Sequence, residues 1–278
     1  MRIGIDIGGS KIRMAVVDGG QIYKKIEAPT NAAESEEAIL ANLCDMIRKI
    51  MNSNIRGIGI GVPSVVDAEQ GIVYNAVNIP SWKRVYLKDI LEKEFRIPVF
   101  VNNESNCFAF GERYYGEGTA YRNIVCVTLG TGVGAGIIIN DVLYNGNNTG
   151  AGEIGSLPYL DADYEYYCSR KFFDRNNISG RDALNMALVG DTQMILLWEE
   201  FGKHIGKLIN AILFTYDPQA IILGGGLSAG YQLFSEKMFD VITTFPYPET
   251  IKRMKILLSR KEDIYLLGAR SEERRVGK

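Results

Sequence analysis

The pattern that most restricts this chain is a strand, a glycine turn and a second strand, which occurs at its start and again near its middle. Residues 2–7 read as a buried strand, Gly8-Gly9-Ser10-Lys11 turns the chain, and residues 12–17 return as a strand closed by the hairpin signal Asp18-Gly19-Gly20. Residues 123–129, Gly130-Thr131-Gly132 and residues 133–140 repeat that order, which is the internal symmetry of a duplicated fold. Between and after them come a helix over 34–51 with Ala38, Leu40, Leu43, Ile47 and Ile50 as its apolar stripe, and buried strands at 57–62 and 99–102. A long amphipathic helix over 193–216 stops at Asp217-Pro218, and a short strand over 221–223 runs into Gly224-Gly225-Gly226. Alternation of this kind predicts an α/β protein.

At 278 residues the chain exceeds a usual single domain of ~100–200 residues, so two lobes are expected. Their boundaries are placed at 1–118 and 119–258, with a helix at about 259–270 packing back on the first lobe and 271–278 as a frayed end without an apolar face. A net charge of −2, from 31 basic and 33 acidic residues, gives no footprint for nucleic acid or an anionic membrane, so the expected partner is a small molecule. Cys44, Cys107, Cys126 and Cys168 are widely spaced and accompanied by a single histidine, His204, so no structural zinc site is expected. The absence of a secretory signal region or a long apolar run points to a cytoplasmic protein.

Glycine turns after strands let backbone N–H groups reach phosphate oxygens, and three are present, at 8–9, 130–136 and 224–226. Asp6 lies inside an otherwise apolar strand, where a carboxylate needs a partner such as a magnesium-bound water; capping the following turn is the competing role. Arg13 can hold Asp6 or a phosphate, or be a plain surface arginine. No Gly-x-x-x-x-Gly-Lys-Ser/Thr run is present, and the spacing of two in Gly130, Gly132, Gly134 and Gly136 does not suit a dinucleotide fold. Gly226-Leu227-Ser228-Ala229-Gly230 matches a serine-hydrolase elbow, but His204 precedes it where that fold needs a later histidine, so His204 is read as structural. Asn102, Asn103, Glu104 and Asn106 leave a buried strand as amides around one carboxylate, a set that can bind a polyol or simply shape a turn.

Taken in order, the segments Asp6–Lys11, Gly59–Pro63, Asn78–Trp82, Asn103–Asn106, Leu129–Gly134, Ala151–Gly155 and Asp217–Gly226 resemble the ROK family of repressors and sugar kinases over nearly the whole chain. That resemblance implies a two-lobed actin-like ATPase fold of duplicated ribonuclease H-like lobes. It also implies phosphoryl transfer from magnesium-ATP to a hexose, usually at the 6-hydroxyl. Asp6 would organise Mg2+ through water. Gly8, Gly9, Ser10, Lys11 and Arg13, with Gly130, Thr131 and Gly132, would hold phosphates, and Gly224, Gly225 and Gly226 would line the nucleoside pocket. Ser64, Asn78, Asn103, Glu153, Ser156 and Glu165 would meet the sugar, with Glu104 as the base. A homodimer is implied as well.

Three positions depart from the family pattern. Glu104 replaces an aspartate, and a carboxylate displaced by about 1 Å can cost ~10²-fold in rate unless the loop compensates. Ser156 replaces a histidine that serves zinc and sugar, and the family's cysteine-rich zinc loop is missing, two losses that agree with each other. Ser64 stands for a glycine beside the sugar pocket. The alternatives are a sugar-responsive transcriptional regulator, against which the start of the first motif at Asp6 leaves no room for a DNA-binding domain, and a sugar-binding protein with weakened catalysis.

Overall fold

The computed structural model describes residues 1–147 and 150–271, and the chain divides into two compact units. The first comprises residues 1–119, 136–151 and those from Arg260 onward; the second comprises 120–135 and 152–259. The tail expected at 271–278 lies, apart from Ser271, outside the described residues.

The first unit begins with β1 (Arg2–Ile7), β2 (Lys11–Asp18) and β3 (Gln21–Pro29). From Ile3 on, β1 is buried, as its Ile-rich sequence requires, whereas in the first half of β2 exposed Lys11 and Arg13 alternate with buried Ile12 and Met14. Gly19 and Gly20, at φ 54° and 81°, supply the left-handed pair that a tight hairpin between β2 and β3 demands. Next come α1 (Glu36–Ile50), β4 (Ile58–Val62), a small antiparallel sheet of β5 (Val65–Asp67), β6 (Ile72–Tyr74) and β7 (Arg84–Val85), then α2 (Leu87–Phe95), β8 (Val99–Asn103) and α3 (Glu104–Tyr115). The main sheet runs β3-β2-β1-β4-β8, with β1, β4 and β8 mutually parallel. Their carboxyl ends therefore lie along one edge.

Ser35 caps α1 by accepting the Ala38 N–H, Glu36 and Glu37 sit in its first turn, and Arg48 and Lys49 in its last. Its buried face is Ile39, Leu43, Met46, Ile47 and Ile50, while Ala38 and Leu40 of the expected stripe are only half-buried. The 3.6-residue period carries Ile39 inward and swings its two neighbours to the flanks.

The last helix among the described residues, α10 (Ile264–Ser271), belongs to this unit. It crosses α3 and β1 closely enough that a Cβ on Gly268 would stand 1.7 Å from the Cys107 carbonyl oxygen, and one on Gly111 2.2 Å from that of Ile264. Both obstacles are backbone and cannot rotate away.

The second unit contains β9 (Ile124–Leu129), the first residues of β10 (Val133–Ile139), the hairpin β12 (Pro158–Tyr159) and β13 (Ala162–Asp163), and the helices α4 (Tyr164–Cys168), α5 (Arg170–Asp174), α6 (Gly180–Leu188) and α7 (Thr192–Tyr216). After them follow β14 (Ala220–Gly224), α8 (Tyr231–Ile242), α9 (Pro248–Arg253) and β15 (Lys255–Leu258). The strand order is β11-β10-β9-β14-β15, where β11 (Val142–Leu143) and the end of β10 count with the first unit; β9, β14 and β15 are parallel. Asp191 caps α7 by accepting two backbone N–H groups, and Asp217, at φ 41°, ends it ahead of Pro218. Phe172, Phe173, Trp198, Phe201 and Phe234 form the aromatic core against which α7 packs, with Phe173 and Trp198 4.6 Å apart.

Replacing Gly268 by alanine should lower stability. A helical alanine gains about 1 kcal/mol over glycine, but a methyl group forced into a backbone carbonyl costs typically ~1–3 kcal/mol or more. Thermal denaturation should therefore show a fall in Tm; an unchanged or raised Tm would refute the tight crossing.

Candidate active site

The parallel strands of the first unit bring its candidate residues to their carboxyl ends. Asp6 of β1 is in register with Arg13 of β2 and Gly61 of β4, and Gly61 is in register with Asn102 of β8. Asp6 is 5% exposed and accepts from Arg13 Nη2 at 2.8 Å. Burial lifts its pKa above the ordinary aspartate value, the Arg13 guanidinium opposes that rise, and the Asp263 carboxylate adds to it. Asp263, just before α10, is itself held by Lys25 at 2.7 Å.

The Gly8–Lys11 turn is braced by a residue that sequence reasoning missed. Thr30, fully buried, donates its hydroxyl to the Gly8 carbonyl at 2.6 Å, and its N–H donates to the Ser10 carbonyl at 3.0 Å. A single threonine after β3 carries no sequence signal for this role. Gly9 packs against Asn78, whose Cβ stands 2.5 Å from where a Gly9 Cβ would be. Lys11 does not stand free in the turn: its ammonium donates to Glu27 at 2.7 Å.

Asn103 caps α3, accepting the Ser105 N–H at 2.7 Å, and its amide donates to the Ser64 carbonyl at 3.1 Å. The Ser64 hydroxyl donates to the Tyr74 carbonyl, leaving its lone pairs for an incoming donor. Glu104 opens α3, half-buried, with its Cα 3.5 Å from the Gly61 Cβ position. Asp6, Gly61, Ser64, Asn103 and Glu104 thus share one edge of one sheet. Asn102 accepts from the Asn103 N–H at 2.7 Å and from Asn106 Nδ2 at 2.9 Å, and its own Nδ2, like Asn106 Oδ1, meets no partner among the described residues.

In the second unit, Leu223 and Gly224 at the end of β14 pair in register with Val127 and Thr128 of β9, so two glycine turns leave the sheet side by side. Gly225, at φ 86°, lies on Leu129: a Cβ there would be 2.4 Å from the Leu129 oxygen. Cβ atoms at Gly130 and Gly226 would meet nothing within 4 Å, so the edge is open where a ligand would approach. Thr131 is exposed between Gly130 and Gly132.

Glu153 and Ser156 lie on one short turn, in which the Ser156 N–H donates to the Glu153 carbonyl at 3.2 Å. Partial burial raises the Glu153 pKa and the neighbouring Glu165 carboxylate adds to the rise. Glu165 accepts the Val133 N–H at 3.1 Å and is paired with Lys171 at 2.6 Å, against the flank of the Gly130–Gly132 turn. His204 is buried and bonded at Nδ1 to the Tyr159 hydroxyl at 3.0 Å inside a cluster with Tyr167 and Phe172. Burial lowers its pKa, so it is a neutral core group. Among the described residues, no three His, Cys, Asp or Glu side chains converge on a metal-sized point, and no helix is long and apolar enough to cross a membrane.

The Asp6–Arg13 pair makes a pH-dependent prediction. Because the fold holds the Asp6 proton more tightly than the unfolded chain, Asp6 costs stability at neutral pH, and that cost fades as pH falls through its raised pKa. Arg13→Met removes the opposing charge and should cost about 1–3 kcal/mol near pH 7.5, with a smaller loss near pH 5. Urea denaturation at both pH values checks this; a loss that grew on acidification would contradict it.

A model of the ROK family matches residues 2–264. A glucokinase of Halalkalibacterium halodurans is 30% identical over 265 residues, 81% of this chain and 80% of that protein. The xylose repressor of Bacillus subtilis is 28% identical over 92% of this chain and 72% of the repressor. Among solved structures, a ROK family glucokinase from Streptomyces griseus in complex with glucose and AMPPNP has a TM-score of 0.84 and 27% identity, with 99% of each chain covered.

Proposed function

The chain belongs to the ROK family and has the mixed α/β, actin-like ATPase fold of its sugar kinases, and on that premise we propose that it transfers the terminal phosphoryl group of ATP to a hexose, at the 6-hydroxyl. The observation that carries this reading is the shared edge on which Asp6, Gly61, Asn103 and Glu104 lie at the ends of parallel strands. The glucokinase relative and the glucokinase bound to glucose and AMPPNP support the substrate pair. We read the two compact units as the two lobes of a cytoplasmic homodimer, with residues 136–151 going to the first lobe and not to the 119–258 lobe expected from the sequence; light scattering on the eluted protein tests the oligomer.

In this reading Asn103 positions the sugar, its amide fixed by Ser64 and by the start of α3, while Ser64 offers hydroxyl lone pairs and Asn78, Glu153, Ser156 and Glu165 offer further polar atoms. Glu104 accepts the proton of the attacking hydroxyl as the oxygen gains its bond to the γ-phosphorus and the bond from that phosphorus to the departing ADP oxygen breaks. The turn at Gly8–Lys11, with Arg13, and the turn at Gly130–Gly132 receive phosphate oxygens, and Gly224–Gly226 face the nucleoside. A buried carboxylate with a guanidinium partner and, among the described residues, no cluster of three ligating side chains around it suits magnesium, which prefers hard oxygen donors and keeps much of its water. Asp6 would hold that ion through water. Held there, the ion would supply positive charge opposite the transferring group.

A coupled ADP-release assay over glucose, mannose, fructose, glucosamine, N-acetylmannosamine and simple β-glucosides should show turnover with one or a few sugars, abolished by EDTA and restored by magnesium. No sugar-dependent ADP release, with sugar binding seen by calorimetry, would favour the second reading, a regulator-like sugar binder, to which the xylose repressor similarity points. Glu104→Gln should lower kcat by ~10²–10⁴ while leaving the sugar Kd nearly unchanged. Full activity in that variant would remove Glu104 from the chemistry.

A further inference from the structure

The second glycine turn has a basic residue of its own that its motif does not include. Lys171, near the start of α5, donates through Nζ to Glu165 Oε1 at 2.6 Å, and Glu165 Oε2 accepts the N–H of Val133, the residue that follows the turn, at 3.1 Å. The same Oε2 lies 2.4 Å from where a Cβ on Gly132 would sit, so the carboxylate rests on the turn itself. The backbone fixes the lysine in place: the Arg170 N–H donates to the Gly130 carbonyl at 2.8 Å, and Ser169 Oγ accepts the Lys171 N–H at 3.1 Å.

A carboxylate that takes one backbone N–H at a glycine turn and one ammonium beside it has the donor set that a phosphate oxygen takes in such a place. Lys171 is half exposed, so its ammonium is reachable from solvent, and the Cβ position of Gly130 is open. A pair this exposed contributes only about 0–1 kcal/mol to stability, so holding the fold together does not account for it. At the first turn a lysine is likewise paired with a carboxylate, Lys11 with Glu27 at 2.7 Å.

We propose that Lys171 binds the phosphate chain of the nucleotide at the Gly130–Gly132 turn, with a phosphate oxygen taking the place that the Glu165 carboxylate now holds. The inference rests on the kinase reading above and adds a charged phosphate ligand that the glycine motif lacks.

The test is calorimetry on the full chain with AMPPNP and magnesium, and separately with adenosine, for wild type, Lys171→Gln, Lys171→Arg and Glu165→Gln. Lys171→Gln should bind AMPPNP about tenfold more weakly or worse and adenosine as wild type does. Arginine should restore most of the loss, and Glu165→Gln should not weaken AMPPNP. In steady state, the Lys171→Gln KM for ATP should rise while the sugar KM stays within about twofold. AMPPNP affinity within about twofold of wild type, an equal loss for adenosine, or an equal loss in Glu165→Gln would overturn the assignment; the last would mean the pair merely shapes the turn. Wild type that binds AMPPNP but releases no ADP with any sugar counts against the kinase reading and leaves Lys171 standing. Wild type that binds no AMPPNP sinks both.

Discussion

A carboxylate buried inside a sheet sets the terms for the first unit. Asp6 is tolerable in β1 because Arg13 lies opposite it on β2, and that pairing needs the hairpin register exact to the residue. The same register puts Asp6 beside Gly61, and Gly61, lacking a side chain, lets the start of α3 come within van der Waals contact. A slip of one residue would turn Asp6 to the other face and take Glu104 out of its neighbourhood. Binding geometry and sheet geometry are therefore one constraint.

Most of this was legible in the sequence because it rests on local patterns. The repeated strand, glycine turn and strand at 2–17 and 123–140 appear as β1–β2 and β9–β10. The Asp217-Pro218 stop ends α7 as its chemistry requires. The polar cluster Asn102–Asn106 leaving a buried strand was visible as a candidate, and Asn103 reaches Ser64 because β4 and β8 end together.

What could not be read was contact across long separations. Thr30 supports Gly8 from 22 residues away, and Lys25 holds Asp263 from 238 away. Neither residue belongs to a motif, and neither a hydrogen bond to a backbone carbonyl, as from Thr30, nor a single ion pair, as from Lys25, selects a distinctive sequence pattern. The error in the α1 stripe has a different origin: a one-residue ambiguity, about 100° of rotation, between Ala38 and Ile39 that only the packed sheet decides. Glu165 was visible as a candidate, but its lysine partner six residues on was not, since α4 and α5 are too short to carry a periodic signal.

The first unit is assembled from three stretches of chain, and α10, from its far end, lies against α3 and β1 without room for a methyl group. During synthesis, β1 is made well before the helix that covers it. The long stretch 152–259 of the second unit emerges in between and has its own aromatic core. The order of manufacture thus runs against the order of completion: the later unit has the means to consolidate while the earlier one still exposes Gly4 and its neighbours, an opening that sequence-distant contacts close slowly.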